Sequence, residues 1–272
     1  FLSNAPSVTW FCSITWFFLC KVAVPIFLMI MGALLLEKHD PPKKSLQRIL
    51  RILIVFFAAS ACYYVFYRRA NPASIHILEF LKLFLAGKNI TTAYWYLYLY
   101  LSLLCILPLL QKMAVACSAR DIQLLLSLSL GVLGTFPLFA ILTPYTLNFF
   151  QKDGLFSPYI GMVFAGYYIE RHMVITRRKS YIAGLIFFLL ILFQVTATHR
   201  LYWIDPTSYG ALDNRTLVTI TGGSACVYIM AKYFFSVVSL SGRVQQIICR
   251  FGSLTFGIYL LSDMMLQILK PL

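Results

Sequence analysis

Charged side chains are scarce in this sequence, making up 12% of its 272 residues against 60% hydrophobic. Soluble domains average about 25% charged residues, so a water-soluble globule is excluded and the bilayer is the expected solvent. Acids are scarcer still, with 9 Asp and Glu against 23 Lys and Arg and a net charge of +14. In a soluble chain that excess would suggest nucleic acid. Here no nucleic-acid partner is expected, because basic loops that hold helices against an anionic leaflet account for it. The seven cysteines, at 12, 20, 62, 105, 117, 226 and 249, contain no CxxC pair. Most lie inside apolar runs, so they read as reduced thiols packing as small hydrophobes. No Gly-rich phosphate loop and no GxSxG is found. His39, His76, His172 and His199 have no metal-spaced neighbours, which excludes an obvious metal centre. No basic stretch precedes the first apolar run, so no signal peptide is expected.

What is present is a series of apolar runs near the 20 residues that cross about 30 Å of hydrocarbon. Eight are found: Val8 to Leu36, Leu50 to Tyr67, Ala93 to Leu110, Ile122 to Leu142, Leu155 to Ile169, Tyr181 to Thr198, Leu217 to Val238 and Gly252 to Leu269. The first is overlong and carries Pro25 and Gly32, which predicts a kink or a tilt. The fifth is short. A further stretch, Ile75 to Ala86, has Glu79 and Lys82 among Leu and Phe and reads as a helix lying in the interface. The expected fold is an all-α, polytopic transmembrane helix bundle in a single domain over residues 1–272.

With eight crossings the loops alternate sides. Those after the odd-numbered spans carry 13 Lys and Arg, and the other side carries 8. The positive-inside rule assigns the richer side to the cytoplasm, which predicts a multi-pass protein of the cytoplasmic (inner) membrane. The opposite loops contain Tyr145, Asn148, Asp153, Tyr202, Trp203, Asp205, Tyr209 and Asp213. Aromatic rings beside hydroxyls and carboxylates suit a sugar or polyol, and an interfacial aromatic belt has the same composition.

Three charges fall inside the spans. Lys21 and Asp263 lie near mid-membrane, where a charge costs on the order of 2.5–3.5 kcal/mol. Either they pair directly, or one of them lines a ligand path. Lys232 is close enough to the cytoplasmic face to snorkel. The densest basic cluster, Lys43-Lys44-Ser45-Leu46-Gln47-Arg48-Ile49-Leu50-Arg51, leads into the second span. Arg48 and Arg51 are three apart, so on a helix both guanidiniums share a face. Two forked donors suit a phosphate or pyrophosphate; an anchor to anionic headgroups is the other reading.

Five segments then carry a resemblance. Lys21-Val22-Ala23-Val24-Pro25-Ile26-Phe27 through Gly32 and Leu36 resembles the "VP … SG" segment of the acyltransferase-3 membrane family. Gln47-Arg48-Ile49-Leu50-Arg51-Ile52 is similar to its "RRxxRI" element. Tyr94-Trp95-Tyr96-Leu97-Tyr98 with Leu107-Pro108-Leu109-Leu110 resembles its "HLW … PL" helix. Gly161 to Arg171 resembles "fxxGyxl", and Phe256-Gly257-Ile258-Tyr259-Leu260 resembles "sxgIYLxH". Lys21 stands where the family usually has Arg, which keeps the charge but loses the bidentate fork. Tyr94 stands in place of the "HLW" His, and Ser262 occupies the final His position with Asp263 one place beyond.

The resemblance implies a bundle of about ten helices, with one more helix before and one after the eight seen here. It implies O-acetylation or a related transfer, in which an acyl group from cytoplasmic acyl-CoA passes to a hydroxyl of an extracytoplasmic glycan or cell-envelope precursor, as in the compact branch that modifies surface polysaccharides. Acyl-CoA would be a donor substrate, with no bound cofactor. Arg48 and Arg51, helped by Lys43 and Lys44, match the family's donor-associated cations; Lys21, Trp95, Tyr96 and Asp263 would line the cavity. The family's essential His, the general base, lies in a helix preceding the "VP" segment, and no residue here stands in that place. A rival reading from another class is transport or binding of a small polar solute such as an amino acid, as in membrane domains fused to serine racemases. Lys21 and Asp263 would then take one end each of a zwitterion.

Overall fold

The computed structural model describes residues 7–38, 41–69, 75–85, 91, 94–143 and 157–269. Among them every regular element is helical: α1 (Val8–Lys21), α2 (Ala23–Leu35), α3 (Pro42–Tyr67), α4 (Ile77–Leu85), α5 (Trp95–Ala116), α6 (Ala119–Leu126), α7 (Leu133–Leu142), α8 (Pro158–Arg171), α9 (Arg177–Ile204), α10 (Val218–Val237) and α11 (Gly242–Leu269). A π-helical stretch, Ser127–Val132, joins α6 to α7, and a 3₁₀ segment, Pro206–Asp213, follows α9. Each of the eight expected spans contains helix among the described residues. Six runs are long and apolar enough to cross a membrane: Val8–Leu35, Lys43–Tyr67, Trp95–Ala116, Ala119–Leu142, Arg177–Ile204 and Gly242–Leu269. The protein is therefore a multi-pass membrane protein. The other two expected spans, α8 and α10, fall short of that standard for a physical reason given below.

The first span breaks at Val22, between α1 and α2. Pro25 explains the position. Its nitrogen has no hydrogen to give the Lys21 carbonyl, so the α1 ladder cannot continue, and Pro25 falls in the first turn of a new helix where that hydrogen is not needed.

The chain forms two compact units, Phe1–His39 with Leu110–Val238 and Asp40–Leu109 with Ser239–Leu272. The first is organised around α8. In that helix Gly161 through Tyr167 and Ile169 are buried, and α2 packs on it more closely than any other pair of helices pack. The closeness depends on two glycines: a Cβ on Gly32 would land on the backbone of Val163, and one on Gly166 on the backbone of Met29. Around this pair the helices exchange polar contacts. Gln111 Nε2 donates at 2.8 Å to the Leu35 carbonyl at the end of α2, which also accepts from the Lys38 N–H at 3.2 Å. Gln194 Nε2 of α9 donates to Thr219 Oγ1 of α10 at 3.1 Å. Ser224 Oγ reaches the Ile220 carbonyl, with a longer contact to that of Val22. A hydrophobic cluster of Trp10, Ile14 and Phe18, spaced four apart on α1, closes on Val195 and Ala197 of α9 and on Leu212 and Leu217.

The second unit is built from rings. Phe56, Ala59 and Tyr63 of α3 meet Tyr94, Leu97 of α5 and Leu260 of α11. Phe56 packs edge-on against Tyr94 and Tyr98, and Tyr63 against Tyr94, with centroids 4.9 to 5.3 Å apart. The expected interfacial helix is α4. It buries Phe80 against Phe57 and Tyr64 of α3 and leaves Ile77, Leu78 and Leu85 uncovered. Glu79 is held there by Arg68 and by the Tyr64 hydroxyl, whose ring also stacks under the Arg68 guanidinium.

Candidate functional site

Within the second unit, the basic segment forms the opening turns of α3. Pro41 caps the helix in extended conformation and Pro42 occupies its first position, where a missing N–H does no harm. Lys43 and Lys44 therefore fall in the first turn, both exposed. Cations there oppose the positive end of the helix dipole. Beyond them α3 has one covered stripe, running through Ser45, Ile52, Phe56, Ala59, Ser60 and Tyr63. Arg48 lies on this stripe, half-buried, within electrostatic reach of the Tyr100 hydroxyl on α5. Arg51 is about 60° round the helix and exposed. The two guanidiniums are thus neighbours but differ in shielding, a distinction that spacing alone did not carry. Ser45 Oγ, one turn before Arg48 on the same stripe, is buried without a hydrogen-bond partner among the described residues. A shielded cation, a hydroxyl with no partner among the described residues and three exposed cations thus share one helix start, donors of the kind that suit a multiply charged anion.

A second cluster in the same unit gathers at the other end of α3. Tyr67 OH donates to Asp263 Oδ2 at 3.1 Å and accepts from Gln267 Nε2 at 2.7 Å. Tyr63 OH accepts from the Met264 N–H at 2.8 Å, and Tyr94 OH donates to the Leu260 carbonyl at 3.1 Å. Tyr96 stacks on Tyr100 and meets Tyr259 edge-on, and Trp95 flanks it. Ser262 Oγ donates to the Tyr259 carbonyl of its own helix. Of the residues expected to line a cavity, Trp95, Tyr96 and Asp263 fall in this one aromatic, carboxylate-bearing cluster. Tyr63 and Tyr67 belong to it and were not anticipated. Their spacing of four, with Tyr64 between, reads in the sequence as the apolar end of a span.

Lys21 lies in the first unit, and its ion-pair partner is Asp213 of the 3₁₀ segment, with the ammonium also 4.5 Å from the centre of the Phe17 ring. The direct pairing of Lys21 with Asp263 suggested by their depth is therefore corrected: each is matched inside its own unit, Lys21 by Asp213 and Asp263 by Tyr67. The physical reason is the break at Val22, which puts Lys21 at a helix end with room to reach a loop carboxylate. Since Lys21 already has a carboxylate, the pair of open charges that suits a zwitterion has nothing to support it. Lys232 is matched inside the first unit too. It pairs with Glu170 at 3.1 Å and donates to the Ile169 and Glu170 carbonyls, capping α8 where the dipole favours a cation. Tyr145, Asn148 and Asp153 lie outside the described residues. Trp203 Nε1 donates to His199 Nε2 at 3.0 Å, one turn back on α9.

Three comparisons with known proteins complete the picture. The acyltransferase-3 family model, described as an acyltransferase domain, matches residues 2–272. Neither the curated proteins nor the solved structures contain a significant match.

Proposed function

Because this chain belongs to the acyltransferase-3 family and is a membrane acyltransferase, we propose that it is an O-acyltransferase. It takes an acetyl or similar group from acyl-CoA on the cytoplasmic side and gives it to a hydroxyl of an extracytoplasmic glycan or cell-envelope precursor. The family match across the whole chain carries the reading. The anion site at the start of α3 gives it a donor: Arg48 and Ser45 bind a CoA phosphate in partly dry surroundings, where a charge-assisted hydrogen bond is strongest. Lys43, Lys44 and Arg51 complete the binding of the remaining phosphates.

The acceptor belongs with the aromatic cluster of Trp95, Tyr96, Tyr67 and Asp263. Flat rings cover the apolar face of a sugar, and the Asp263 carboxylate and Gln267 amide orient its hydroxyls. In the transfer step the acceptor oxygen attacks the thioester carbonyl. The carbon–sulfur bond breaks, the acyl group ends as an oxygen ester, and the hydroxyl proton leaves through a general base to the CoA thiol. Excluding water from the donor path prevents hydrolysis of the thioester.

The test is acyl transfer by the full chain reconstituted in vesicles. Arg48→Ala should raise the KM for acetyl-CoA by about 10- to 100-fold, the worth of a charge-assisted hydrogen bond, and Arg51→Ala by less. An unchanged KM in the double variant would refute the donor assignment.

A further inference from the structure

We infer that the first unit carries a binding site for an anionic phospholipid, in a groove between the start of α9 and the end of α10. The groove has a volume of about 600 Å³ and is lined along α9 by Arg177, Tyr181 and Leu185 and along α10 by Tyr233, Phe234 and Val237. That size lies within the range of small-molecule sites, about 300–1,000 Å³. Its walls are apolar, and Tyr181, Leu185, Phe234 and Val237 are all uncovered by protein. Such a groove opens sideways, toward lipid tails, rather than into water.

Its one charged wall sets the occupant. Arg177 lies at the open end, with Arg178 and Lys179 next in sequence, so three cations fill the first turn of α9, and no acid is among them. They sit at the positive end of the helix dipole, where a cation is disfavoured, and beside first-turn N–H groups that have no intrahelical acceptor. An anion there relieves both. Lys179 Nζ is turned back to the Val174 carbonyl, and Arg177 NH2 is steadied by the Tyr181 hydroxyl at 3.2 Å. Arg177 is therefore the cation that lines the groove and meets the ligand, and Arg178, next to it in sequence, adds to the local positive field. A free phosphate would answer the cations but not the apolar walls, and a neutral lipid the walls but not the cations. A phospholipid with a net negative headgroup answers both, with its phosphate on Arg177 and one acyl chain between Leu185 and Phe234. The side is consistent, since the loop before α9 is one of those the positive-inside rule places in the cytoplasm, where anionic lipids are concentrated.

The experiment reconstitutes the full chain in vesicles of phosphatidylcholine doped with phosphatidylglycerol, extracts it in mild detergent, and counts the lipids retained by native mass spectrometry. Phosphatidylglycerol should be retained over phosphatidylcholine. Arg177→Ala should lower that retention about fivefold, and the double change with Arg178→Ala about 30-fold, the effect of one and two basic groups at a charged surface. Val237→Trp, which fills the groove and leaves every charge in place, should lower it too. Added inorganic phosphate should not displace the lipid. The inference is overturned by equal retention of the two lipids, by retention that survives either variant, by displacement with inorganic phosphate, or by a second copy of the chain in place of lipid. The thermal midpoint of each variant, expected to match the parent's, separates loss of the lipid from loss of the fold.

Discussion

Helices α8 and α11 both coincide with segments of family resemblance, yet they live in opposite environments. In α8 eight of 14 residues are buried, three of them Gly or Ala. In α11 a single residue of 28, Leu260, is buried. At 1.5 Å per residue α8 covers about 21 Å, too little for the hydrocarbon layer, and α11 covers it with ease. The difference is one of length and enclosure rather than of hydropathy, since α11, the barest of the six long runs, is also the least apolar of them. A helix surrounded by other helices has protein for its solvent. There small residues that admit close approach and hydroxyls that bond across the contact serve better than Leu. The same holds for α10, whose Thr219, Thr221, Gly223 and Ser224 are all buried.

The sharpest way to break this comparison is to add one methyl group. Gly166→Ala puts a Cβ onto the Met29 backbone and Gly32→Ala puts one onto that of Val163. Backbone cannot step aside as a side chain can, so α2 and α8 must separate. Each change should destabilise the protein by about 3 kcal/mol, a drop of roughly 10 °C in thermal midpoint, measured by unfolding in detergent. A drop of a degree or two would mean that α8 is less tightly enclosed than its burial implies.

A smaller effect is expected where α8 ends. Lys232→Met removes the cation shared by the Glu170 carboxylate and two α8 carbonyls. Both side chains keep some exposure, which screens the pair, so the loss should be about 1–2 kcal/mol. Pairing it with Glu170→Gln tests the account: the double change should destabilise less than the sum of the two single ones. Smaller again is Gln194→Leu, which breaks the α9–α10 bond to Thr219. Bonds of this kind contribute on average about 0.6 kcal/mol in membranes, and the same melting curve should shift by only a degree or two.

The sequence reveals much of the fold through composition. Scarce charge excluded water, run length located eight helices, and Pro25 marked the break in the first. It does not reveal pairing. The glycines of the first and fourth resembling segments, Gly32 and Gly166, each lie against the backbone of the other's helix, and neither segment alone says so. Depth matches Lys21 to Asp263 or to a ligand path because its actual carboxylate, Asp213, is far off in sequence and ends a short 3₁₀ segment outside any span. The depth of Lys232 indicates a chain that can reach the cytoplasmic face, but it does not name the partner found there, the end of α8. At the candidate site the cations of α3 were legible from spacing. The tyrosines that join Asp263 were not, since an aromatic residue at a span's end looks the same whether it faces lipid or a ligand.

On α11 the comparison predicts almost no effect. A Cβ at Gly252 or Gly257 meets no atom within 4 Å, so Gly252→Ala and Gly257→Ala add only helix preference, about 0.5–1 kcal/mol in favour of the fold. The melting curve should stay in place or rise by a few degrees, opposite in sign to the glycines of α2 and α8. That sign is the informative part. Gly257 lies in a segment that resembles a family motif, and a motif glycine with open space around it is paradoxical if the motif is there for packing. If Gly257→Ala lowers the midpoint as Gly166→Ala does, the face of α11 around Gly257 is packed in the membrane and is a contact surface. If the midpoint holds while acyl transfer falls, the glycine keeps the way clear beside Tyr259 and Asp263 for the acceptor, and the open face of α11 belongs to the substrate.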